Sequence, residues 1–485
     1  MEWYWTLALL LGSILFLMFI GLPVGLAFIT VNTIALTLIY IGQRGGPFEA
    51  RLLDSVFQLT DNAFANLAIF AIVPIPMFLL MGELFFHTGL ADKMFNAIER
   101  LMGRVPARLS YVTVAGGTAF ATLSGSSMGS TALLGTLMVP EMSKRGYKKS
   151  MSIGPILGTG GLAMLIPPSA LAVLLGTLAE LDIGKLLIAG VLPGVILASM
   201  YAVLIFVRAT LDPEAAPSYE VEYVPWSARL ALFLVDVVPM VSVIVMVIML
   251  IMLGIATPSE SAAYGSVGVI VLAIIYLFLA PLMRGIYLST RPGAEEAAHA
   301  AFAEARRFAP RFGRATWKSL WGAGRVTVIA LLILFGSSLF SNVLATSQAS
   351  DALIKWVTSF NVSGYVMLLM MFGILLVLGM FMDQLAMMLL TVPIFFPVIK
   401  GLDFGLTPDV KMIWFGVIML LAMEISFTTP PFGLLLFVMQ GVAPPGTKFS
   451  EICMAAIPFM LCAMTLVALI IIFPAIATWL PFVAD

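Results

Sequence analysis

Residues 109–140 run for 32 positions without a charged side chain, and Ser124-Gly125-Ser126-Ser127 lies at their centre. As one helix the run would be about 48 Å long, well beyond a bilayer core of about 30 Å. Split at the polar cluster, each half reaches only about 20 Å, too short to span. A helical hairpin that dips into the membrane and returns to the same side satisfies both lengths. Residues 363–399 repeat the pattern, with Asp383 as their only charge and Gly379-Met380-Phe381-Met382-Asp383-Gln384 near the middle.

Other apolar runs surround these two. Residues 3–43 are interrupted by Gly21-Leu22-Pro23-Val24-Gly25 and read as two helices joined by a tight turn. Residues 62–82, 150–179, 186–207, 237–259, 261–283, 326–350 and 452–484 are uncharged, and 412–447 contains only Glu424. The chain carries 25 Lys+Arg and 26 Asp+Glu in 485 residues, whereas a soluble chain would devote roughly a quarter of its residues to charge. The expected class is an all-α polytopic membrane protein. A net charge of −1 offers no basic face for nucleic acid. Cys453 and Cys462 share one apolar run and suggest neither a disulfide framework nor a zinc site. The start Met1-Glu2-Trp3-Tyr4-Trp5 lacks the basic region of a cleavable signal and reads as an interfacial anchor.

Loop charge tests the hairpins. With both segments re-entrant, the cytoplasmic stretches 87–108, 141–150, 208–230, 281–325 and 438–451 hold 19 of the 25 Lys and Arg. The opposite stretches 42–65, 179–187, 346–362 and 400–411 hold the remaining 6. If residues 109–140 crossed once, 141–150, 208–230 and 281–325 would move outside, against the positive-inside rule. The parity predicts ten spans, two hairpins and both termini outside. Each hairpin is followed by an apolar segment with paired prolines, and the two units have opposite orientation. That order is the trace of an inverted-topology repeat, usual in secondary transporters. The expected divisions are 1–62 as N-terminal scaffold helices, 63–207 as the first repeat, 208–325 as a scaffold pair with a cytoplasmic loop, and 326–485 as the second repeat. Within the loop, 293–308 reads as a solvated helix with Glu304 and Arg307 at i,i+3.

Broken helices free backbone carbonyls and amides in the membrane, and these need partners. Carbonyls and hydroxyls suit Na⁺, and half-helix N-termini suit anions. Ser124–Ser127 at the first tip fits that role, although small residues also permit close packing. The run from Gly158 to Ser169, with Pro167-Pro168, predicts an unwound segment. Asp383 is costly in this setting unless it binds a cation or caps a half-helix. Thr428-Thr429-Pro430-Pro431 is the matching break, with Glu424 one turn earlier. Glu260 in Thr257-Pro258-Ser259-Glu260 reads as a helix start. Glu83 and Asp236 fall near span ends, within reach of solvent or a partner.

A serine hydrolase hidden at Ser124–Ser127 would need a base. His87 and His299 fall in or at predicted loops, no lysine falls inside the apolar runs, and no Walker motif is present, so no enzyme is expected.

Five motifs in order carry a family resemblance. They are Ser124-Gly125-Ser126-Ser127, Ile166-Pro167-Pro168-Ser169, Gly254-Ile255-Ala256-Thr257-Pro258-Ser259-Glu260, Gly379-Met380-Phe381-Met382-Asp383 and Thr428-Thr429-Pro430-Pro431-Phe432-Gly433. The chain resembles the large membrane (M, DctM-like) subunit of TRAP transporters, the tripartite ATP-independent periplasmic carriers, from Leu7 to Leu480. The resemblance implies an elevator-type carrier in a bacterial inner membrane, moving a small organic anion with Na⁺. It implies two partners, a four-helix membrane subunit (Q) and a periplasmic binding protein (P). It places Na⁺ at Ser124, Gly125, Ser127, Gly161 and Pro167, and at Gly379, Asp383, Thr428, Thr429 and Pro430. It places substrate near Ser126, Ser127, Pro168, Ser169, Asp383 and Thr429. A carrier of similar architecture without a binding protein is the alternative. Two features depart from the family. Met128-Gly129-Ser130-Thr131 lacks the acid that many relatives carry there, and loop 281–325 is longer by roughly two to three dozen residues.

Overall fold

A computed structural model describes residues 3–482 except 44–47, 51, 54–55, 58–59, 62–71, 103–104, 125–126, 168, 218–224, 291–293, 350–351, 353–354, 357–358, 360–361, 381 and 432; residues 3, 19, 42–43 and 122–124 are described by backbone alone. Helices account for nearly all of it, with no strand among the described residues. Helices α1 (Trp3–Phe19) and α2 (Val24–Gln43) are joined at Gly21, whose φ of +95° needs glycine. Helix α3 (Pro74–His87) turns by 65° into the amphipathic α4 (Leu90–Met102). The expected span over 62–82 is described only from Ile72 onward, and its helix continues to His87.

The first hairpin consists of α5 (Arg108–Ser124) and α6 (Ser127–Lys144), 17 and 18 residues long, about 26 Å each. Its outer ends meet. Arg145 Nη1 lies 3.6 Å from Glu99 Oε1, and Ser110 Oγ donates to the Met151 carbonyl at 2.6 Å. Glu99, on the preceding α4, also pairs with Arg108 at 3.5 Å, and a segment whose two ends meet one carboxylate has returned to the side it left. The second hairpin behaves alike once the chain reaches it.

The next segment is α7 (Lys149–Gly160), α8 (Leu162–Leu165) and α9 (Ala170–Leu178). The expected unwinding at the glycine run does not occur: the chain is helical through Gly160, turns at Gly161, and among the described residues leaves the helix at Ile166, Pro167 and Ser169. The glycines serve close approach instead. A Cβ at Gly154 or Gly158 would lie 2.6–2.7 Å from the Phe459 ring. Helix α10 (Ile183–Leu211) follows, capped by Asp182, which accepts from Lys185 N at 3.0 Å.

Helices α11 (Trp226–Leu232), α12 (Val238–Met252) and α13 (Pro258–Ile274) come next. Thr257 and Glu260 form the expected helix start as a capping box: Glu260 N donates to Thr257 Oγ1, and Thr257 N donates to Glu260 Oε2. The predicted loop 281–325 is mostly helical. Helix α14 (Ala280–Ser289) runs on from α13, and α15 (Glu295–Arg306) packs back on it by burying Ala298, Ala301 and Ala305, with Phe302 against Gly285. The predicted solvated helix is thus present, but one of its faces is covered. Helix α16 (Phe308–Thr346) has 39 residues, about 58 Å, so it starts about five turns before the span predicted from 326. Trp317 and Trp321 are exposed on it, where an aromatic belt would lie.

Helices α17 (Gly364–Leu378) and α18 (Gln384–Gly401) form the second hairpin, and Tyr365 and Phe404 meet edge to face at its two ends with ring centroids 5.4 Å apart. Helix α19 (Pro408–Thr428), a break, and α20 (Leu434–Val442) follow, then α21 (Phe449–Ile472) and α22 (Ala475–Phe482). Helix α19 is the axis of the molecule, buried on every side from Ile413 to Thr428. Around it pack the second hairpin, α8, α10, α20, α21 and α22, and the first hairpin reaches it at Ser127. Helices α2, α3, α13 and α16 form a second group.

Among the described residues, eight helices are long and apolar enough to cross a membrane, or up to ten if each bent pair counts as one span. Most keep a large apolar face exposed, as with Val241, Val245 and Met249 of α12. Such faces suit lipid rather than water. Several loops that charge assigns to one side lie together in the structure. Lys148 pairs with Asp212 and Lys149 with Glu451, both at 2.6 Å, joining three of the basic stretches. On the other face, segments 179–187 and 400–411 together line a polar cavity that includes Asp182, Lys185 and Asp409.

Candidate functional site

The two hairpin tips and the two broken helices meet at Glu424. Its Oε2 lies 3.4 Å from the Ser127 hydroxyl, at the first residue of α6, and 3.4 Å from the Gln384 amide nitrogen, at the first residue of α18. Gln384 Nε2 is also 3.7 Å from Met164 Sδ on α8. Gly161, at the turn between α7 and α8, leaves the space that the Glu424 side chain fills: a Cβ there would be 2.4 Å from its Cγ. Two helix N-termini therefore approach one carboxylate, with their positive dipole ends toward it.

The second tip is fixed just as closely. A Cβ on Gly379 would lie 1.9 Å from Ser426 Oγ, one turn from the break. Asp383 is the N-cap of α18, with Oδ1 accepting from Ala386 N at 2.7 Å. The capping role foreseen for it is therefore present, and it occupies one oxygen only. Thr428 Oγ1 donates to the Ile425 carbonyl at 3.0 Å, and Thr429 Oγ1 donates to the same carbonyl at 2.7 Å. A hydroxyl whose proton is spent inside its own helix keeps lone pairs for an incoming cation. Thr429 also approaches Met460 Sδ at 3.6 Å.

Of the other expected site residues, Ser169 caps α9, its Oγ accepting from Ala172 N at 3.2 Å, and is buried. Pro167 is buried at the first break and Pro430 lies in the second. Gly125, Ser126 and Pro168 fall outside the described residues, and the Ser124 side chain is not described. Sequence reasoning marked Glu424, with Asp383, as a deep acid near where the ion would sit but gave it no ligand role, and it missed Gln384 and Ser426. Adjacency to Asp383 was the available signal for Gln384. Of the remaining acids, Glu83 Oε2 sits 3.1 Å from His87 Nε2, and Asp236 lies in a π-helical turn, Phe233–Val237. His87 is thus engaged with Glu83, while Ser127 faces a carboxylate rather than a base–histidine relay.

Two short hairpins and two interrupted helices around a buried polar point, in a polytopic helical protein, are the architecture of a membrane transporter. The sequence matches the family described as "Tripartite ATP-independent periplasmic transporter, DctM component" over residues 11–476, and the chain belongs to that family as a TRAP large permease. It is 30% identical over 429 residues to the C4-dicarboxylate TRAP transporter large permease protein DctM of Pseudomonas aeruginosa, covering 88% of this chain and 90% of that one. It is 26% identical over 434 residues to the isethionate TRAP transporter permease protein DctMQ of Oleidesulfovibrio alaskensis, covering 88% of this chain and 59% of that one. In fold it is similar to the Alcanivorax borkumensis YdaH transporter, with a TM-score of 0.55, 13% identity, and coverage of 94% and 98%.

Proposed function

We propose that this chain is the large transport subunit of a Na⁺-coupled tripartite importer for a small organic anion, in a bacterial inner membrane with both termini periplasmic. The observation that carries this is the meeting of both repeats' tips and breaks at one buried point. Hydroxyls with spent protons and freed carbonyls suit Na⁺, and the half-helix N-termini suit an anion. The hairpins, broken helices, α10 and α21 then form the moving body, and the group with α2, α3, α13 and α16 forms the scaffold of an elevator. A small membrane subunit and a periplasmic binding protein complete the system. The fused name of the isethionate relative is in keeping with a second membrane part joined to a chain of this kind. The dicarboxylate and isethionate named for two relatives make an organic acid the favoured substrate class.

The test is uptake in proteoliposomes supplied with both partners and a panel of organic acids, with and without a Na⁺ gradient. Uptake that requires the gradient is expected. Uptake that ignores Na⁺ would sink the coupling, and uptake that persists without the soluble partner would sink the tripartite reading. Asp383 separates two roles within the same assay. Asn caps helices as well as Asp does, so Asp383→Asn keeps the cap and removes the charge. Loss of Na⁺-dependent uptake of at least about tenfold, equivalent to about 1.4 kcal/mol, is expected if the charge binds the cation. Asp383→Asn with unchanged sodium dependence would leave capping as its whole role.

A further inference from the structure

Glu424 carries an obligation that its protein contacts do not meet. It is 4% exposed, in the middle of a helix buried on all sides, where a lone charge is expensive. Its two contacts, both to Oε2, are 3.4 Å long, past the usual hydrogen-bond limit of about 3.2 Å. Its Oε1 is fully buried and has no hydrogen-bond partner among the described residues. Beside it lies a cavity of 10 Å³, room for about one water-sized sphere. The cavity is lined by Glu424, Thr428 and Tyr201 among apolar side chains.

We infer that Glu424 is a ligand of a coupling cation, with the Ser127 hydroxyl as its partner ligand, at a site shared by the first hairpin tip and the second repeat's broken helix. Charge count sets the class. A divalent ion gathers several carboxylates, and no group of three His, Cys, Asp or Glu able to hold a metal occurs among the described residues. One carboxylate with hydroxyls matches a monovalent ion. The geometry adds a coupling role. A cation held between Ser127 and Glu424 would fasten the first hairpin to α19, so that loading the ion and seating the hairpin become one event. It also cancels a negative charge that would repel an organic anion, so the cation binds first.

This inference rests on the sodium-coupled reading above. The experiment uses the complete three-part transporter with Na⁺ as the probe. Na⁺ titrations of uptake and of thermal stability in detergent are compared for wild type, Glu424→Gln, Glu424→Asp and Ser127→Ala. Glu424→Gln should raise the half-saturating Na⁺ concentration at least tenfold and abolish part of the Na⁺-dependent rise in Tm. Glu424→Asp should restore some of both, and Ser127→Ala should shift Na⁺ affinity in the same direction. The Glu424→Gln and Ser127→Ala effects should combine less than additively, because both act on one ion. A stable Glu424→Gln with wild-type Na⁺ dependence overturns the assignment alone. If Glu424→Gln cannot be purified, an unchanged Na⁺ titration in Ser127→Ala overturns it. A wild type indifferent to Na⁺ overturns the coupled reading together with it.

Discussion

Gly161→Ala is expected to lower Na⁺-dependent uptake by one to two orders of magnitude while the protein remains purifiable. The new Cβ would stand 2.4 Å from Glu424 Cγ and 2.7 Å from its Oε1. A flexible acid could swing away at a surface, but here the surrounding helix leaves no room. Overpacking of this kind costs about 1–3 kcal/mol, and about 1.4 kcal/mol is a factor of ten in affinity. The displaced carboxylate loses Ser127 and Gln384 together. Na⁺ titration of uptake, with the Na⁺-dependent change in Tm as a second readout, checks the outcome. Wild-type sodium affinity in Gly161→Ala would show that the position tolerates a methyl group and that the close approach is incidental.

Gly190→Ala is expected to be the most damaging single substitution for folding. Its Cβ would lie 2.0 Å from the carbonyl oxygen of Leu165 and 3.0 Å from the carbonyl carbon. Both atoms are backbone, at the last residue of α8, next to the break over 166–169. Neither can rotate aside, so α10 must move away from the segment that positions the first break. A loss above about 3 kcal/mol is expected, at the top of the range for overpacked cores. Gly373→Ala in α17 is the control, because nothing lies within 4 Å of its Cβ position. There the methyl should be neutral or stabilise the helix by up to about 1 kcal/mol. Size-exclusion profiles and Tm in detergent compare the two. A monodisperse Gly190→Ala with wild-type Tm would contradict the predicted collision.

Much of this architecture was legible before any coordinates. The positive-inside rule predicted the parity of the loops, and that parity required residues 109–140 to return. The Glu99–Arg145 pair and the Ser110–Met151 hydrogen bond show that return directly. The turn at Gly21 and the capping box at Thr257 were readable because both are local: a positive φ and a four-residue side-chain exchange involve neighbours in sequence. The glycine run 158–161 misled for the opposite reason. A glycine marks either backbone freedom or room for something else, and only the partner decides which. Phe459 and Glu424, some 260 to 300 positions away, occupy that room.

Glu424 shows the same limit. Its isolation in apolar sequence made its burial evident, because a charge among uncharged neighbours in a span has to face the protein interior. What it faces was not readable. Ser127, Gly161 and Gln384 reach it from three separate segments, two of them in the other repeat. The sequence by itself determined the solvent, predicted the sidedness and located most of the helix breaks, the glycine run excepted, since these follow from transfer energies and backbone chemistry summed along the chain. The tertiary structure alone decided which breaks share a point and which carboxylate they enclose, since that depends on packing between residues the sequence holds far apart.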